Sequence, residues 1–174
     1  MPNTFHDDYS LSVLAQPHQD DIYKSIFPIK KITRFNHEED LILDKKYHID
    51  VELELINGIK LLGQEKALRA HFAKFDTFTI EFYQNRFRKE PGEFFNIGAQ
   101  FYLHGYWNES YNGFCKWYLI KLFDFLTYLK KLPLEQLEKQ TRPSTSRASF
   151  YYITYNKIPS EFFYRTMSEV SEVI

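Results

Sequence analysis

The fold is decided by residues 49–66, which read IDVELELINGIKLLGQEK. Residues 49–55 alternate strictly between apolar and acidic side chains, and a period of two is typical of a half-buried β-strand. Asn57 and Gly58 are turn residues, and residues 59–66 form a second run rich in apolar side chains. The segment is therefore expected to form a β-hairpin.

Two turn lengths are open to this hairpin. A two-residue turn at Asn57 and Gly58 would place Leu55 opposite Lys60, so that both faces would mix apolar and charged side chains. A three-residue loop with Gly58 in the left-handed position of a β-bulge creates one apolar face instead. That face contains the pairs Leu55–Ile59, Leu53–Leu61 and Val51–Gly63. Because a one-residue slip turns every side chain to the other face, burial of this face favours the three-residue loop.

The same register gathers polar side chains on the opposite face of the hairpin. The pairs there are Glu54–Lys60, Glu52–Leu62, Asp50–Gln64 and His48–Lys66. Asp50, Gln64 and Lys66 are thus expected to converge on one patch, with Glu52 and His48 beside them. Glu65 is expected to point to the other face.

Such a patch has a specific chemical use. A carboxylate and a neighbouring amide or carbonyl oxygen can hold a hard cation such as Mg²⁺. A lysine on the same face can orient or deprotonate a water, or offset charge on a phosphate in the transition state. These are the parts of metal-assisted phosphodiester hydrolysis. An ordinary reading stays open as well, because many surface hairpins carry Asp, Glu and Lys as cross-strand pairs.

These residues resemble the PD-(D/E)XK nuclease superfamily. Its hallmark is an acid on one strand, then a hairpin, then an acidic-x-lysine triplet, and Asp50 followed by residues 64–66 is similar to that pattern. The resemblance covers roughly residues 19–165. It implies an endonuclease that cuts DNA with Mg²⁺ or Mn²⁺. By position it makes Asp50 the metal-binding acid, Lys66 the catalytic lysine and Gln64 the second ligand, with the main-chain carbonyl of Glu65 completing the shell.

Gln64 departs from the family pattern, because an acid is usual at this position. A neutral ligand should weaken metal binding, although Glu52, Asp20 or Asp21 could restore the missing charge. The departure keeps open a second function, a catalytically inactive nuclease-fold module that binds nucleic acid or a protein partner. A third is an aromatic-rich structural protein whose hairpin acids only solvate a surface.

The charge distribution bears on how nucleic acid could bind. A net charge of −1 argues against binding over a broad basic surface. Residues 1–59 hold 6 Lys and Arg against 11 Asp and Glu, whereas residues 60–90 hold 7 against 4. This change from acidic to basic fits a cation site beside a local phosphate groove. The phosphate contacts are expected from Arg69, Lys74, Arg86 and Arg88, together with Lys66 and Lys89.

Length and element order predict the fold class. The 174 residues suit a single domain, 1–174, with a flexible segment at 1–17 and a core at about 19–165. Helical segments are predicted at 19–27, 123–132 and 160–164, strands at 49–55, 59–66, 77–83, 99–107, 114–122 and 150–155, and loops at 37–46, 85–92, 108–113 and 140–148. This order predicts an α+β (mixed α/β) fold with a single central mixed sheet flanked by short helices. The resemblance implies that the arrangement is restriction-endonuclease-like.

The remaining features concern location and partners. Cys115 can form no internal disulfide, which favours the reducing cytoplasm. No apolar run is long enough to span a membrane, and the first ten residues do not resemble a secretory signal, so no membrane contact is expected. Small nucleases of this type often act as dimers, which makes a homodimer a further expectation. The 18% of aromatic residues are expected to pack the core.

Overall fold

The computed structural model describes residues 4–35, 47–110, 112–144 and 147–167, and within these ranges it has mixed helix and strand content. The α-helices are α1 (Thr4–Ile26), α2 (Glu93–Asn96), α3 (Leu122–Leu129) and α4 (Leu134–Lys139). The strands are β1 (Ile29–Arg34), β2 (Val51–Leu55), β3 (Lys60–Arg69), β4 (Thr77–Asn85), β5 (Glu90–Pro91), β6 (Phe101–Asn108), β7 (Gly113–Ile120), β8 (Thr141–Pro143), β9 (Ser149–Thr154) and β10 (Phe163–Thr166). Short 3₁₀ helices lie at Ala70–Lys74, Tyr155–Lys157 and Ser160–Phe162. The predicted α+β class is confirmed.

The central sheet has six strands in the order β1-β2-β3-β6-β7-β10. All neighbours in it are antiparallel except β3 and β6, which are parallel. Parallel neighbours need a long crossover connection. Here the crossover is formed by residues 70–100, which contain β4, β5 and α2.

A second sheet has four strands in the order β5-β4-β9-β8. The sequence-based prediction placed residues 77–83 and 150–155 in one central sheet. These two segments instead pair with each other, with Glu81 opposite Phe150. Alternating apolar residues identify a strand but not its partner, so this pairing could not be predicted from the pattern.

The two faces of the central sheet are buried by different elements. Helix α1 covers one face through Ala15 and Tyr23, which pack on Leu53, Phe101 and Leu103. The second sheet and α3 cover the other face, and the core there is formed by Phe78, Ile80, Tyr102, Tyr106, Tyr118 and Phe125. Many of the aromatic residues expected to pack the core, among them Phe101, Tyr102, Tyr106 and Trp107, are buried on these two faces.

The hairpin register is the predicted one. Val51 lies opposite Gly63 and Glu54 lies opposite Lys60. The amide of Leu55 donates to the carbonyl of Ile59 at 2.8 Å, and Gly58 has φ +82°. The three-residue loop with a left-handed glycine is therefore confirmed.

The N-terminal prediction was wrong for the described residues. Helix α1 begins at Thr4 and continues through the exposed Pro17, whereas residues 1–17 were expected to be flexible and the helix was expected at 19–27. Because proline removes one helical hydrogen bond, Pro17 was interpreted as lying before the start of the helix. Leu11, Ala15 and Ile22 are buried on one face, and this packing holds the longer helix together.

Smaller differences affect the connections. Strand β1 and helix α4 were not predicted, and the predicted loop at 140–148 contains β8. The predicted helical turn at 160–164 is a 3₁₀ turn that leads into β10. The predicted loop at 37–46 lies outside the described residues. No helix in the described ranges is both long and apolar enough to cross a membrane.

Candidate active site between the two sheets

A polar cleft of about 330 Å³ lies where the hairpin faces the second sheet. Its lining residues are His48, Asp50, Gln64, Glu65, Lys66, Thr79, Ile80, Glu81, Glu93, Tyr102 and Phe150. Asp50, Gln64 and Lys66 therefore share one cleft. They come together because the predicted register puts them on the same face of neighbouring segments.

Asp50 is fixed by main-chain hydrogen bonds on both sides. Its amide donates to the carbonyl of Gly63 at 2.9 Å, and its carbonyl accepts from the amide of Phe35 at 2.9 Å. The carboxylate oxygen Oδ2 accepts from the amide of Glu65 at 2.7 Å. The carboxylate is thus held at the rim of β3 in a defined orientation.

Glu65 points away from the cleft, as the register predicts. Its carboxylate accepts from Tyr23 Oη at 2.9 Å and from Nε and Nη2 of Arg34, both at 3.0 Å. Arg34 also donates to Asp20 Oδ1 at 2.7 Å. Burial alone would lower the pKa of Arg34, but the bonds and charges of Glu65 and Asp20 raise it above its usual value. The side of Glu65 that borders the cleft is consequently its main chain.

The acids expected to compensate for Gln64 lie elsewhere. Asp20 is bound to Arg34 on the α1 side of the sheet, and Asp21 is exposed on the same helix. Glu52 forms an ion pair with Lys60 at 2.8 Å and borders a separate cavity of about 620 Å³. The expectation that one of these residues brings its charge to the cleft is therefore corrected.

Two other acids line the cleft and were missed from the sequence. Glu81 lies on β4 and Glu93 begins α2. Burial, and then the charge of Glu93, raises the pKa of Glu81. Thr79 and Glu81 are the polar residues of the alternating sequence at 77–83, but this pattern could not show that β4 would face the hairpin.

His48 lies next to these acids in a strained conformation. Its Nδ1 is 3.5 Å from Glu93 Oε1, and its φ of +52° is rare for a residue other than glycine. Residues with such backbone strain are enriched at functional sites. In the described ranges, however, no three His, Cys, Asp or Glu side chains are arranged to hold one metal ion.

His104 lies directly opposite Lys66 on the neighbouring strand β6. It is 1% exposed, and its Nδ1 contacts the hydroxyl of Tyr155. Burial, and then the charge of Lys66, lowers the pKa of His104 to about 3. The imidazole therefore stays neutral at physiological pH, and the positive charge at this pair of residues is that of Lys66.

Of the predicted phosphate-binding residues, Lys66 lines the cleft and the others lie outside it. Arg69 is three residues after Lys66, hence on the opposite face of β3, and forms an ion pair with Glu109. Lys74 lies 5.0 Å from the ring of Phe75 on the 3₁₀ turn. The others are on the turn between β4 and β5, where Arg88 and Lys89 pair with Glu90 and Glu138.

The cleft combines the oxygen donors Asp50 and Gln64 and the cation Lys66 on the hairpin wall with further carboxylates, Glu81 and Glu93, facing them. No protein-family model, curated protein or solved structure matches this chain. Any function of this protein is therefore inferred from the residues of the cleft.

Proposed function

We propose that this protein is a metal-dependent nuclease of the PD-(D/E)XK kind, which hydrolyses phosphodiester bonds in DNA. The observation that supports the proposal is that Asp50, Gln64 and Lys66 line one cleft, in the order that the family pattern implies. The main-chain anchoring of Asp50 by Glu65 adds to it, because a fixed carboxylate orientation favours ligation.

The donor set fits Mg²⁺ or Mn²⁺. The carboxylate of Asp50, the side-chain amide of Gln64 and the main-chain carbonyl of Glu65 are all oxygen donors, which hard cations prefer. Mg²⁺ keeps several waters and is usually held by one or two carboxylates together with substrate phosphates. A cage of three carboxylates is therefore not required. When bound, the cation would polarise the phosphate and lower the pKa of a water.

The chain's own residues have separate tasks in this proposal. Lys66 places a positive charge where the phosphate gains negative charge in the transition state. Glu81 brings to the cleft the second carboxylate that Gln64 lacks. Because burial raises the pKa of Glu81, this group is also better suited to accept a proton near neutral pH than an exposed glutamate.

A cleavage assay with matched variants tests the proposal. Supercoiled and linear DNA are incubated with the parent protein in Mg²⁺, in Mn²⁺ and in EDTA. We expect metal-dependent cleavage that falls by at least about 100-fold in Asp50→Asn and Lys66→Met. Glu54→Gln and Lys60→Met are the controls, because they change the same hairpin face outside the cleft, and both should cleave normally.

Two results would contradict this function. One is the absence of cleavage by the parent in either metal, and the other is an equal loss in the control variants. A further variant examines the cation directly, since Gln64→Glu should tighten Mn²⁺ binding in a calorimetric titration, whereas Asp50→Asn should weaken it.

The second candidate is a catalytically inactive module of the same fold that binds nucleic acid or a protein partner. It is favoured by the neutral Gln64 and by the missing three-ligand group within the described ranges. Salt-dependent DNA binding without cleavage in any metal would support this candidate over the enzyme.

A further inference from the structure

An exposed aromatic and basic surface lies at one end of the second sheet. We call it the arginine-turn surface, and it consists of Arg86, Phe87, Arg88 and Arg147. The turn between β4 and β5 meets the segment before β9, because the amide of Arg86 donates to the carbonyl of Arg147 at 2.9 Å. Arg147 is itself exposed.

Phe87 is presented to solvent at the tip of this turn. It is 73% exposed, and the Arg86 guanidinium lies 4.7 Å from the centre of its ring. The buried Asn85 holds the turn, since its Oδ1 accepts from the amides of Phe87 and Arg88 at 3.1 and 3.3 Å. The backbone of the turn is thus held in place, and the Phe87 ring is exposed beside the Arg86 guanidinium.

The arginine-turn surface continues from the cleft along two paired strands. Glu81 and Phe150 line the cleft and lie opposite each other on β4 and β9. Arg86 is five residues beyond Glu81, and Arg147 is three residues before Phe150, which corresponds to about 16 Å and 10 Å along the strands. A single short stretch of polymer can therefore contact both places.

We infer that the arginine-turn surface binds unpaired nucleotides of the substrate strand next to the cleft. The inference rests on the proposed function for the identity of the polymer. Arg86 and Arg147 complement phosphate charge, while Phe87 offers a face on which a base can stack. In a duplex the base faces are covered by neighbouring pairs, so an exposed ring selects strands with unpaired bases. The substrate class is thus nucleic acid with a single-stranded segment.

Binding is measured apart from cleavage. Fluorescein-labelled dT₂₀ and a duplex of equal length are titrated in EDTA, and anisotropy is recorded from 50 to 300 mM salt. Phe87→Ala should weaken dT₂₀ binding about tenfold, the loss of about 1.4 kcal/mol, and leave the salt dependence unchanged. Arg147→Gln should weaken binding and reduce the slope of log K against log salt by about 0.7.

Two surface variants serve as matched controls. Phe123→Ala removes another exposed phenylalanine (64% exposed), and Lys31→Gln removes a cation from the edge strand β1. Neither lies on the arginine-turn surface, so both should bind dT₂₀ within twofold of the parent. All four substitutions change exposed side chains, so loss of the fold is not a competing explanation.

The inference is overturned if the parent does not bind dT₂₀, if it prefers the duplex, or if Phe87→Ala binds within twofold of the parent. Any of these results with intact metal-dependent cleavage leaves the nuclease proposal standing. Conversely, Phe87-dependent binding of dT₂₀ without cleavage in any metal supports the surface and removes the nuclease proposal. The two ideas therefore fail separately.

Discussion

Replacing Gly63 with alanine tests the packing that sets the hairpin in place. A Cβ atom at this position would lie 2.1 Å from both Cε2 and Cζ of the Phe101 ring. Carbon atoms in favourable contact are about 3.5–4.0 Å apart, so ring and strand would have to separate by about 1.4 Å. Phe101 is 0% exposed, and its ring lies 5.4 Å from that of Tyr23 on α1. The ring therefore has no free space into which it can move.

We expect Gly63→Ala to lower the free energy of unfolding by about 3 kcal/mol, the upper part of the range for overpacked cores. Urea denaturation measures it. With an m-value of about 2 kcal/mol/M, the midpoint should fall by about 1.5 M. In a Phe101→Leu background the cost should drop below about 1 kcal/mol, because leucine lacks the Cε and Cζ atoms that make the close approach.

Gly58→Ala is the control, because Gly58 is required for its backbone conformation and not for close packing. A Cβ atom added at Gly58 would meet no atom within 4 Å, but φ is +82°. The cost of this substitution should therefore be about 1–2 kcal/mol, from backbone strain. Phe101→Leu should leave that cost unchanged. The packing argument is refuted if Gly63→Ala costs less than about 1 kcal/mol, or if it costs the same in both Phe101 backgrounds.

Three further predictions concern charged and titratable groups. Arg34→Met should lower the free energy of unfolding by about 3–5 kcal/mol in urea denaturation, because it leaves the buried carboxylate of Glu65 without its cation. Adding Glu65→Gln to this variant should recover most of the lost stability. The pKa of His104 is lowered to about 3, so the unfolded chain binds a proton near pH 6.5 that the folded protein does not. The stability of the protein should therefore fall as pH decreases from 6.5 towards 3. His104→Gln should reduce this fall, as measured by urea denaturation at pH 7 and at pH 5. The pKa of Glu81 is raised, so the folded protein holds a proton that the unfolded chain releases just above pH 4.5. The stability contributed by this group therefore falls as pH rises. In thermal denaturation, Glu81→Gln should be more stable than the parent at pH 7 but not at pH 4.

The hairpin and the convergence of Asp50, Gln64 and Lys66 could be predicted from the sequence. The reason is local, since one apolar face and one turn glycine determine the register without knowledge of any distant residue. The same alternation predicted that the side chain of Glu65 points away from the cleft. What it binds there could not be predicted, because Arg34 belongs to a strand that the sequence pattern did not indicate.

The opposite wall of the cleft could not be predicted. Strand β4 has a clear alternation, but nothing in residues 77–85 indicates that its partner is β9 rather than a strand of the central sheet. Glu81 was therefore not recognised as a lining residue of the cleft that contains Lys66. Similarly, the length of α1 depends on burial of Leu11 and Ala15 against the sheet, and this tertiary packing outweighs the local preference of Pro17.

The pairing of Glu81 with Phe150 has a consequence for folding during synthesis. The pairing between the two strands of the hairpin at 49–66 is local and can form within microseconds, whereas β4 must wait for a strand almost seventy residues further along the chain. The ribosome adds roughly 5–20 residues per second, so β9 is synthesised several seconds after the hairpin that carries Asp50 and Lys66. The cleft is completed only after β9 has emerged.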